Sequence, residues 1–169
     1  FTLAAGVARV TGKRTVGFMG DSTFFHSGMP PLLNAIKENV SMVAVILDNG
    51  VTAMTGFQES PAAGLDAGTI VRGASIADVA RSLGATQVVT VDPEKDLAGT
   101  ILAFEHARDA TGVSVIIAEH PCPVWMTQLT RSNGDLHTQD GVYESWRAER
   151  YARPAARSRA ARRQECKSP

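Results

Sequence analysis

Short apolar runs recur along the first 120 residues at the length of β-strands. SMVAVIL and VSVIIAEH are apolar over most of their length, which is typical of strands that are covered on both faces. RTVGFM and TQVVTV are shorter runs of the same kind. The pattern therefore predicts four strands.

Amphipathic segments between these runs predict helices. GMPPLLNAIKEN fits a helix whose two prolines lie in its first turn. SIADVARSLG has a Ser–x–x–Asp start and a glycine stop. DPEKDLAGTILAFEHARDATG is predicted to begin at an aspartate cap and to place Leu97, Ile101 and Phe104 on one helical face.

The order of these elements predicts the fold class. Strands and helices alternate, which indicates an α/β fold with a mostly parallel sheet and helices on both faces. Residues 48–74 show no periodicity and are expected to form one long loop that is either functional or mobile. The sequence predicts a folded domain over residues 1–124, followed by a weakly ordered, polar, Arg-rich tail over residues 125–169.

Charge and cysteine content narrow the possible partners. The net charge is zero, but the segment from Arg147 onwards holds eight Lys and Arg residues against two Glu. This tail could attract phosphates, yet no interleaved aromatic residues support nucleic-acid recognition, so we expect a solvated tail.

Two cysteines suggest a reducing, cytoplasmic setting, and the apolar runs are shorter than the roughly 20 residues of a membrane span. Because Phe1 is not a natural start, we expect a segment upstream.

Two polar groups of residues follow the first two strands. Gly20–Asp21–Ser22 ends one strand, and Asp48–Asn49–Gly50–Val51 ends the next. The carboxyl ends of parallel strands meet at one edge of a sheet, where ligands gather. A carboxylate, an amide oxygen and a backbone carbonyl would suit Mg²⁺ completed by diphosphate oxygens. The simpler alternative is that Asp21 caps a turn.

Two further side chains have a structural and a functional interpretation. Asp48 is expected to be a structural carboxylate at the strand end. His26 is either a hydrogen-bonding residue at a helix start or a catalytic proton donor close to substrate or diphosphate.

GDSTFFHSGMPPLLNAI followed by VILDNGVTAMTGFQ resembles the diphosphate-binding domain of the indolepyruvate ferredoxin oxidoreductase large (alpha) subunit, a member of the 2-oxoacid:ferredoxin oxidoreductases and of the thiamine diphosphate enzyme superfamily. The resemblance covers about Phe1 to Val124 and implies the thiamine diphosphate-binding fold, truncated at its N-terminus. The family motif is Gly–Asp–Gly and, further on, Asn. Here Ser22 replaces the second glycine, and 27 residues separate Asp21 from Asn49.

The resemblance implies a set of site residues. Magnesium would be bound by the side chains of Asp21 and Asn49 and by the carbonyl of Val51. An asparagine of the pyruvate-using branch is replaced here by Met54, which favours an aryl 2-oxoacid. The residues expected to contact the cofactor are Gly20, Asp21, Ser22, Thr23, Asn49, Val51, Thr52, Met54 and Thr55.

The resemblance also implies what the whole enzyme does. It would oxidatively decarboxylate indolepyruvate or another aryl 2-oxoacid, with coenzyme A as acyl acceptor and ferredoxin as electron acceptor. A pyrimidine-binding domain or subunit would complete the site within a homo- or hetero-oligomer. An iron–sulfur cluster could be held only by a missing domain or partner, because two cysteines are too few.

By this interpretation the chain alone is inactive. Two alternatives remain open at this point. The chain could be a domain of a non-oxidative thiamine diphosphate-dependent 2-oxoacid decarboxylase, or an inert fragment that only binds a partner subunit.

Overall fold

The computed structural model of the chain describes residues 1–66 and 69–132, together with residues 144 and 148. The helices are α1 (Thr2–Thr11), α2 (Asp21–Thr23), α3 (Met29–Lys37), α4 (Ile76–Ser82), α5 (Leu97–Asp109) and α6 (Pro123–Ser132). The strands are β1 (Thr15–Gly20), β2 (Met42–Asp48), β3 (Val51–Thr52), β4 (Gln58–Glu59), β5 (Ala63–Asp66), β6 (Thr69–Arg72), β7 (Gln87–Val91) and β8 (Val113–Glu119).

Four strands form a parallel sheet in the order β1–β2–β8–β7. The two central strands, β2 and β8, are buried along most of their length, which explains their continuous apolar sequence. All four predicted strands are confirmed.

Helices cover both faces of this sheet. On one face, the alternate β2 residues Met42, Ala44 and Ile46 pack in one cluster with residues of α1, α3 and α4. On the other face, Val43 and Val45 pack with α5. The predicted α/β class, a mostly parallel sheet with helices on both faces, is confirmed.

The helical chain after β1 begins earlier than the sequence pattern predicted. It starts at Asp21 and passes through a π-helical turn, Phe24–Gly28, before α3. The N–H of Met29 donates to the carbonyl of Phe24, five residues earlier. Pro30 and Pro31 follow, and proline has no backbone N–H to donate. The regular series of α-helical hydrogen bonds is therefore interrupted at these two residues as well.

The predicted long loop over residues 48–74 is not a loop throughout. It contains two antiparallel hairpins, β3 with β4 and β5 with β6. These strands have two or four residues each, which is too short for alternation of polar and apolar residues to be recognised in the sequence.

The third predicted helix begins later than expected. Asp96 caps α5, because its Oδ1 accepts the Gly99 N–H at 2.8 Å. Asp92 instead holds a turn by accepting the N–H groups of Glu94 and Lys95. The sequence contains two competing aspartate caps, and the first one is used in the turn.

The predicted apolar face of this helix is only partly covered by the sheet. Leu97 and Ile101 are more than half exposed, whereas Thr100 and Ala107 are the buried residues of α5. Phe104 is half-buried and packs against residues of the sheet.

Helix α6 extends past the predicted boundary at residue 124. Its residues Trp125 and Met126 are buried. Most of the predicted tail lies outside the described residues, so the division into domain and tail stays a prediction. Among the helices that the structure describes, none combines the length and apolar character needed to cross a membrane.

A hydrogen-bond network joins all four strands at the amino edge of the sheet. The half-buried Arg14 guanidinium donates to the Gly112 carbonyl at 2.8 Å and to the hydroxyls of Ser41 and Ser114 at 3.3 and 2.8 Å. Ser114 Oγ in turn donates to Gln87 Oε1 at 2.7 Å. Burial lowers the pKa of Arg14 below the ordinary arginine value. This network fixes the amino ends of the strands relative to one another.

We expect Arg14→Met to lower the free energy of unfolding by about 1–3 kcal/mol, because buried acceptors lose their donor. The matched control is Arg9→Met, which removes an exposed ion pair with Glu38 and should cost at most about 1 kcal/mol. Urea denaturation of both variants measures the difference. Equal losses would show that the network contributes no more than a surface ion pair.

Candidate functional site

The polar residues that follow β1 and β2 lie at the same edge of the sheet. Gly20 is paired with Leu47, so Asp21 and Asp48 directly follow paired positions, and Asn49 is one residue further. Neighbouring strands are about 4.8 Å apart. Helix α2 also contacts β2 and β3. Asp21 and Asn49 therefore follow the ends of two neighbouring strands at the carboxyl edge of the sheet.

Asp21 is buried, with 4% of the residue's surface exposed. Its Oδ1 accepts the N–H of Ser22 at 2.7 Å, and its Oδ2 accepts the hydroxyl of Ser60 at 2.8 Å. These donors, one on each oxygen, restrain the rotation of the carboxylate. Such bonds offset part of the cost of burying a charged group.

Asn49 lies in a tight turn that holds its backbone in place. Its side-chain Oδ1 accepts the Val51 N–H at 3.1 Å, and its carbonyl accepts the Cys122 N–H at 3.1 Å. Gly50 has φ 73°, a left-handed conformation that favours glycine. The buried Asp48 stabilises the same turn by accepting the Gly50 N–H at 3.2 Å.

Val51 and Thr52 open a hairpin beyond this turn. Val51 is buried and pairs with Glu59 across the hairpin. At the tip, Thr55 Oγ1 donates to Gln58 Oε1 at 2.6 Å, and Met54 is fully exposed. The structure thus brings Val51 and Thr52 beside α2, while the side chains of Met54 and Thr55 lie in or near the exposed tip.

Phe57 at the base of the hairpin tip has φ 61°. A bulky residue in the left-handed region costs on the order of 1–3 kcal/mol, and such strain is concentrated at functional sites. The strained residue supports a functional interpretation of this hairpin.

Gly20 leaves open space beside the end of β1. Its φ of −77° and ψ of 160° are accessible to any residue. A Cβ built on Gly20 would meet no atom within 4 Å. Neither conformation nor packing of the described residues therefore requires glycine here, and the space fits a ligand that approaches the backbone closely.

His26 lies in the π-helical turn, where its imidazole is exposed. Its Nδ1 is 2.6 Å from the Ser22 carbonyl oxygen. Because a carbonyl can only accept, Nδ1 carries the proton of the neutral ring, and Nε2 presents a lone pair. π-helical turns occur frequently at functional sites.

Thr23 and Ser22 complete the first turn after β1. Thr23 is exposed and its carbonyl accepts the Ser27 hydroxyl at 3.3 Å, while Ser22 is half-buried. The residue that sequence analysis missed is Ser60. It is 39 positions from Asp21 and lies in a segment without periodicity, so no local pattern indicated the contact.

The oxygen donors at this edge are of the chemical types that a hard divalent cation prefers. One carboxylate, one side-chain amide and a backbone carbonyl are oxygen donors of the kind that Mg²⁺ prefers, with remaining positions left to water and phosphate. Within the described residues, no group of three or more His, Cys, Asp or Glu could hold a metal. A metal at this site would therefore depend on the amide and the backbone oxygen as well as on Asp21.

A cavity of about 270 Å³ opens at the carboxyl ends of β2 and β8. The polar residues that line it are Asp48, Ser75, Asp78, Arg81, Thr90 and Glu119. None of the predicted cofactor or metal ligands, which lie at or beyond the ends of β1 and β2, is among the described residues that line this cavity.

Residues 1–118 match the family described as thiamine pyrophosphate enzyme, C-terminal TPP binding domain. The chain belongs to this family. Both polar groups of residues at the carboxyl edge lie within the matched segment. Membership in the thiamine pyrophosphate enzymes agrees with the resemblance inferred from the sequence.

Relatives that are similar in sequence carry a more specific name. The protein named indolepyruvate oxidoreductase subunit IorA of Archaeoglobus fulgidus is 36% identical over 137 residues, which is 79% of this chain. The protein of the same name from Methanothermobacter marburgensis is 41% identical over 120 residues, or 70% of this chain. The chain spans 21% and 19% of these two relatives, about a fifth of their length.

Solved structures show the same fold. A 2-oxoglutarate:ferredoxin oxidoreductase from Magnetococcus marinus matches 86% of this chain and 56% of its own, with a TM-score of 0.60 at 20% identity. A thiamine diphosphate-dependent 4-hydroxybenzoylformate decarboxylase from Rhodococcus jostii matches 70% of this chain and 22% of its own, with a TM-score of 0.52 at 24% identity. At these identities the likeness supports the fold alone.

Proposed function

We propose that the chain binds thiamine diphosphate and Mg²⁺ at the carboxyl edge formed by the ends of β1 and β2. The observation that carries this proposal is the buried, doubly hydrogen-bonded Asp21 carboxylate beside the Asn49 turn, on paired strands of a thiamine pyrophosphate family member. The oxygen donors suit magnesium, and the open space beside the Gly20 backbone suits the diphosphate.

Each part of the site has a role in this proposal. Asp21, Asn49 and the Val51 carbonyl bind magnesium. The backbone around Gly20, Ser22 and Thr23 approaches the diphosphate through the open space beside Gly20. When bound, thiamine diphosphate supplies carbanion-stabilising chemistry at its thiazolium ring.

The hairpin tip is proposed to contact the thiazolium side of the cofactor. Thr52, Met54 and Thr55 lie on the chain that leaves the Asn49 turn. The full exposure of Met54 supports this role. Removing a large apolar side chain from water is favourable, so contact with a ligand or partner would stabilise the complex.

His26 is proposed as the proton carrier of the site. Its Nδ1 contact with the Ser22 carbonyl fixes the ring on the same turn that follows Asp21. In the neutral tautomer Nε2 accepts a proton, so the ring can take up a proton and then donate it near substrate.

For the whole protein we propose an oxidoreductase that acts on indolepyruvate or another aryl 2-oxoacid. The names of the relatives support this proposal. The carboxylate would leave as carbon dioxide, the acyl group would pass to coenzyme A, and two electrons would pass to ferredoxin. A pyrimidine-binding domain or partner subunit would cover the other half of the cofactor.

Calorimetric titration with thiamine diphosphate tests the cofactor proposal. We expect saturable binding in the presence of Mg²⁺ and a loss of that binding when EDTA removes the metal, because the diphosphate is held through magnesium. Binding that is unchanged by EDTA would contradict a metal-mediated site, and no binding in either condition would contradict the proposed function.

Gly20→Ala tests whether the open space beside β1 is a binding surface. We expect roughly tenfold weaker binding of thiamine diphosphate, about 1.4 kcal/mol, because the added methyl group occupies that space. The matched control is Gly6→Ala in α1, where a Cβ also meets nothing within 4 Å. Thermal melts should show both variants folded, and equal cofactor affinity in the two would contradict the assignment.

A further inference from the structure

Ser60 contacts the candidate metal ligand from a distant part of the chain. Its hydroxyl donates to Asp21 Oδ2 at 2.8 Å and accepts the Ala62 N–H at 3.1 Å. Ser60 and Asp21 are 5% and 4% exposed. The hydrogen bond is therefore shielded from water. In the protein interior such a bond is stronger than one exposed to solvent.

The backbone holds Ser60 in place from both sides. On one side, Glu59 pairs with Val51 in the hairpin that follows the Asn49 turn. On the other side, the carbonyls of Pro61 and Ala62 accept the N–H groups of Ala74 and Gly73 at 2.7 and 2.9 Å. A Cβ on Gly73 would lie within 3 Å of this backbone, so the two segments pack as closely as glycine allows. The Ser60 hydroxyl is thus a fixed donor.

We propose that Ser60 is a positioning residue that orients the Asp21 carboxylate for the metal, an inference that rests on the proposed function. The last torsion of an aspartate is broad and roughly two-fold. The Ser22 N–H restrains one oxygen and the Ser60 hydroxyl restrains the other. Without Ser60 the carboxylate loses the hydrogen bond that restrains Oδ2, and its alignment toward a cation is less well defined.

The same hydrogen bond couples the metal site to the hairpin. Asp21 begins the helical turn after β1, whereas Ser60 ends the segment that starts at the Asn49 turn. The bond therefore joins the two segments that carry the proposed magnesium ligands. Groups that orient metal ligands from outside typically change metal affinity by about 10–100-fold when they are removed.

A purely local role for Ser60 predicts a different result. Its acceptance of the Ala62 N–H is a short-range serine turn, which by itself would shape only the loop. Loss of that turn would lower stability without a selective effect on the metal.

The experiment compares Ser60→Ala with Ser114→Ala by titrating Mg²⁺ at saturating thiamine diphosphate. Ser114 is a matched control because it is also buried, its hydroxyl also donates and accepts one hydrogen bond, and it lies at the amino edge. We expect Ser60→Ala to raise the Kd for Mg²⁺ about 10–100-fold. Ser114→Ala should lower the melting temperature while leaving that Kd within about twofold.

Amide hydrogen exchange supplies a second measurement that needs no cofactor. In Ser60→Ala, the Ser22 amide should exchange faster than in wild type, because its acceptor Asp21 loses the restraint from the Ser60 hydroxyl. Mg²⁺ affinity equal to that of wild type would overturn the inference and leave the proposed function standing. No magnesium binding by wild type would overturn both.

Discussion

Asp21→Asn is expected to weaken magnesium-dependent binding of thiamine diphosphate by about 100-fold or more, which corresponds to about 2.7 kcal/mol. The substitution keeps the size of the side chain and can keep its two hydrogen bonds. Its Oδ1 can still accept the Ser22 N–H, and its amide nitrogen can donate to Ser60 Oγ. The charge is what is lost, and Mg²⁺ depends on carboxylate oxygens for much of its binding energy.

The matched control for this substitution is Asp109→Asn. Asp109 is exposed at the end of α5, where it pairs with the neighbouring Arg108 at 2.8 Å, and that pairing lowers its pKa. Calorimetry should show cofactor binding by Asp109→Asn equal to that of wild type. Circular dichroism and thermal melts should show that Asp21→Asn is folded. A folded Asp21→Asn protein that binds as tightly as wild type would remove Asp21 from the metal site.

The parts of the fold that could be predicted from sequence are those where one physical requirement dominates. β2 and β8 are covered on both faces, so their sequences must be apolar throughout, and this pattern is unambiguous. Ser75 caps α4 as predicted because its side chain accepts the Asp78 N–H. In these elements the local pattern and the tertiary environment favour the same structure.

The parts that could not be predicted depend on choices between similar local signals. Asp92 and Asp96 are both able to cap a helix, and the structure uses the second. The π-helical turn Phe24–Gly28 lies between α2 and the prolines at the start of α3, a place where the sequence alone is equally compatible with a regular helix start. Neither outcome can be inferred from residue spacing, because it is decided by contacts with other elements.

The candidate site also contains residues that could be placed from the sequence and one residue that could not. Asp21 and Asn49 could be placed together because the ends of neighbouring parallel strands share an edge. Ser60 could not be placed, because its approach to Asp21 depends on the path of two short hairpins. Sequence analysis thus placed the two candidate ligands at one edge but did not predict the hydrogen bond between Ser60 and Asp21.

Phe24→Ala is expected to lower the free energy of unfolding by about 3–5 kcal/mol. Phe24 is completely buried in the main core cluster, and its ring meets that of Phe25 edge to face at 5.3 Å. Removing the ring leaves a cavity against Gly28, where a built Cβ already lies 3.1 Å from the Phe24 ring. Urea denaturation measures the loss, and Phe18→Ala is the matched control because Phe18 is 62% exposed on β1.

The control should lose less than about 1 kcal/mol, since exposed substitutions seldom cost more. Equal losses in the two variants would contradict the assignment of Phe24 to the core. Phe24 also lies three residues after Asp21, on the same helical turn. Its packing therefore sets the position of the carboxylate, and Phe24→Ala should weaken cofactor binding as well. Phe24→Leu retains much of the volume, so it should recover both stability and binding in part if packing is the cause.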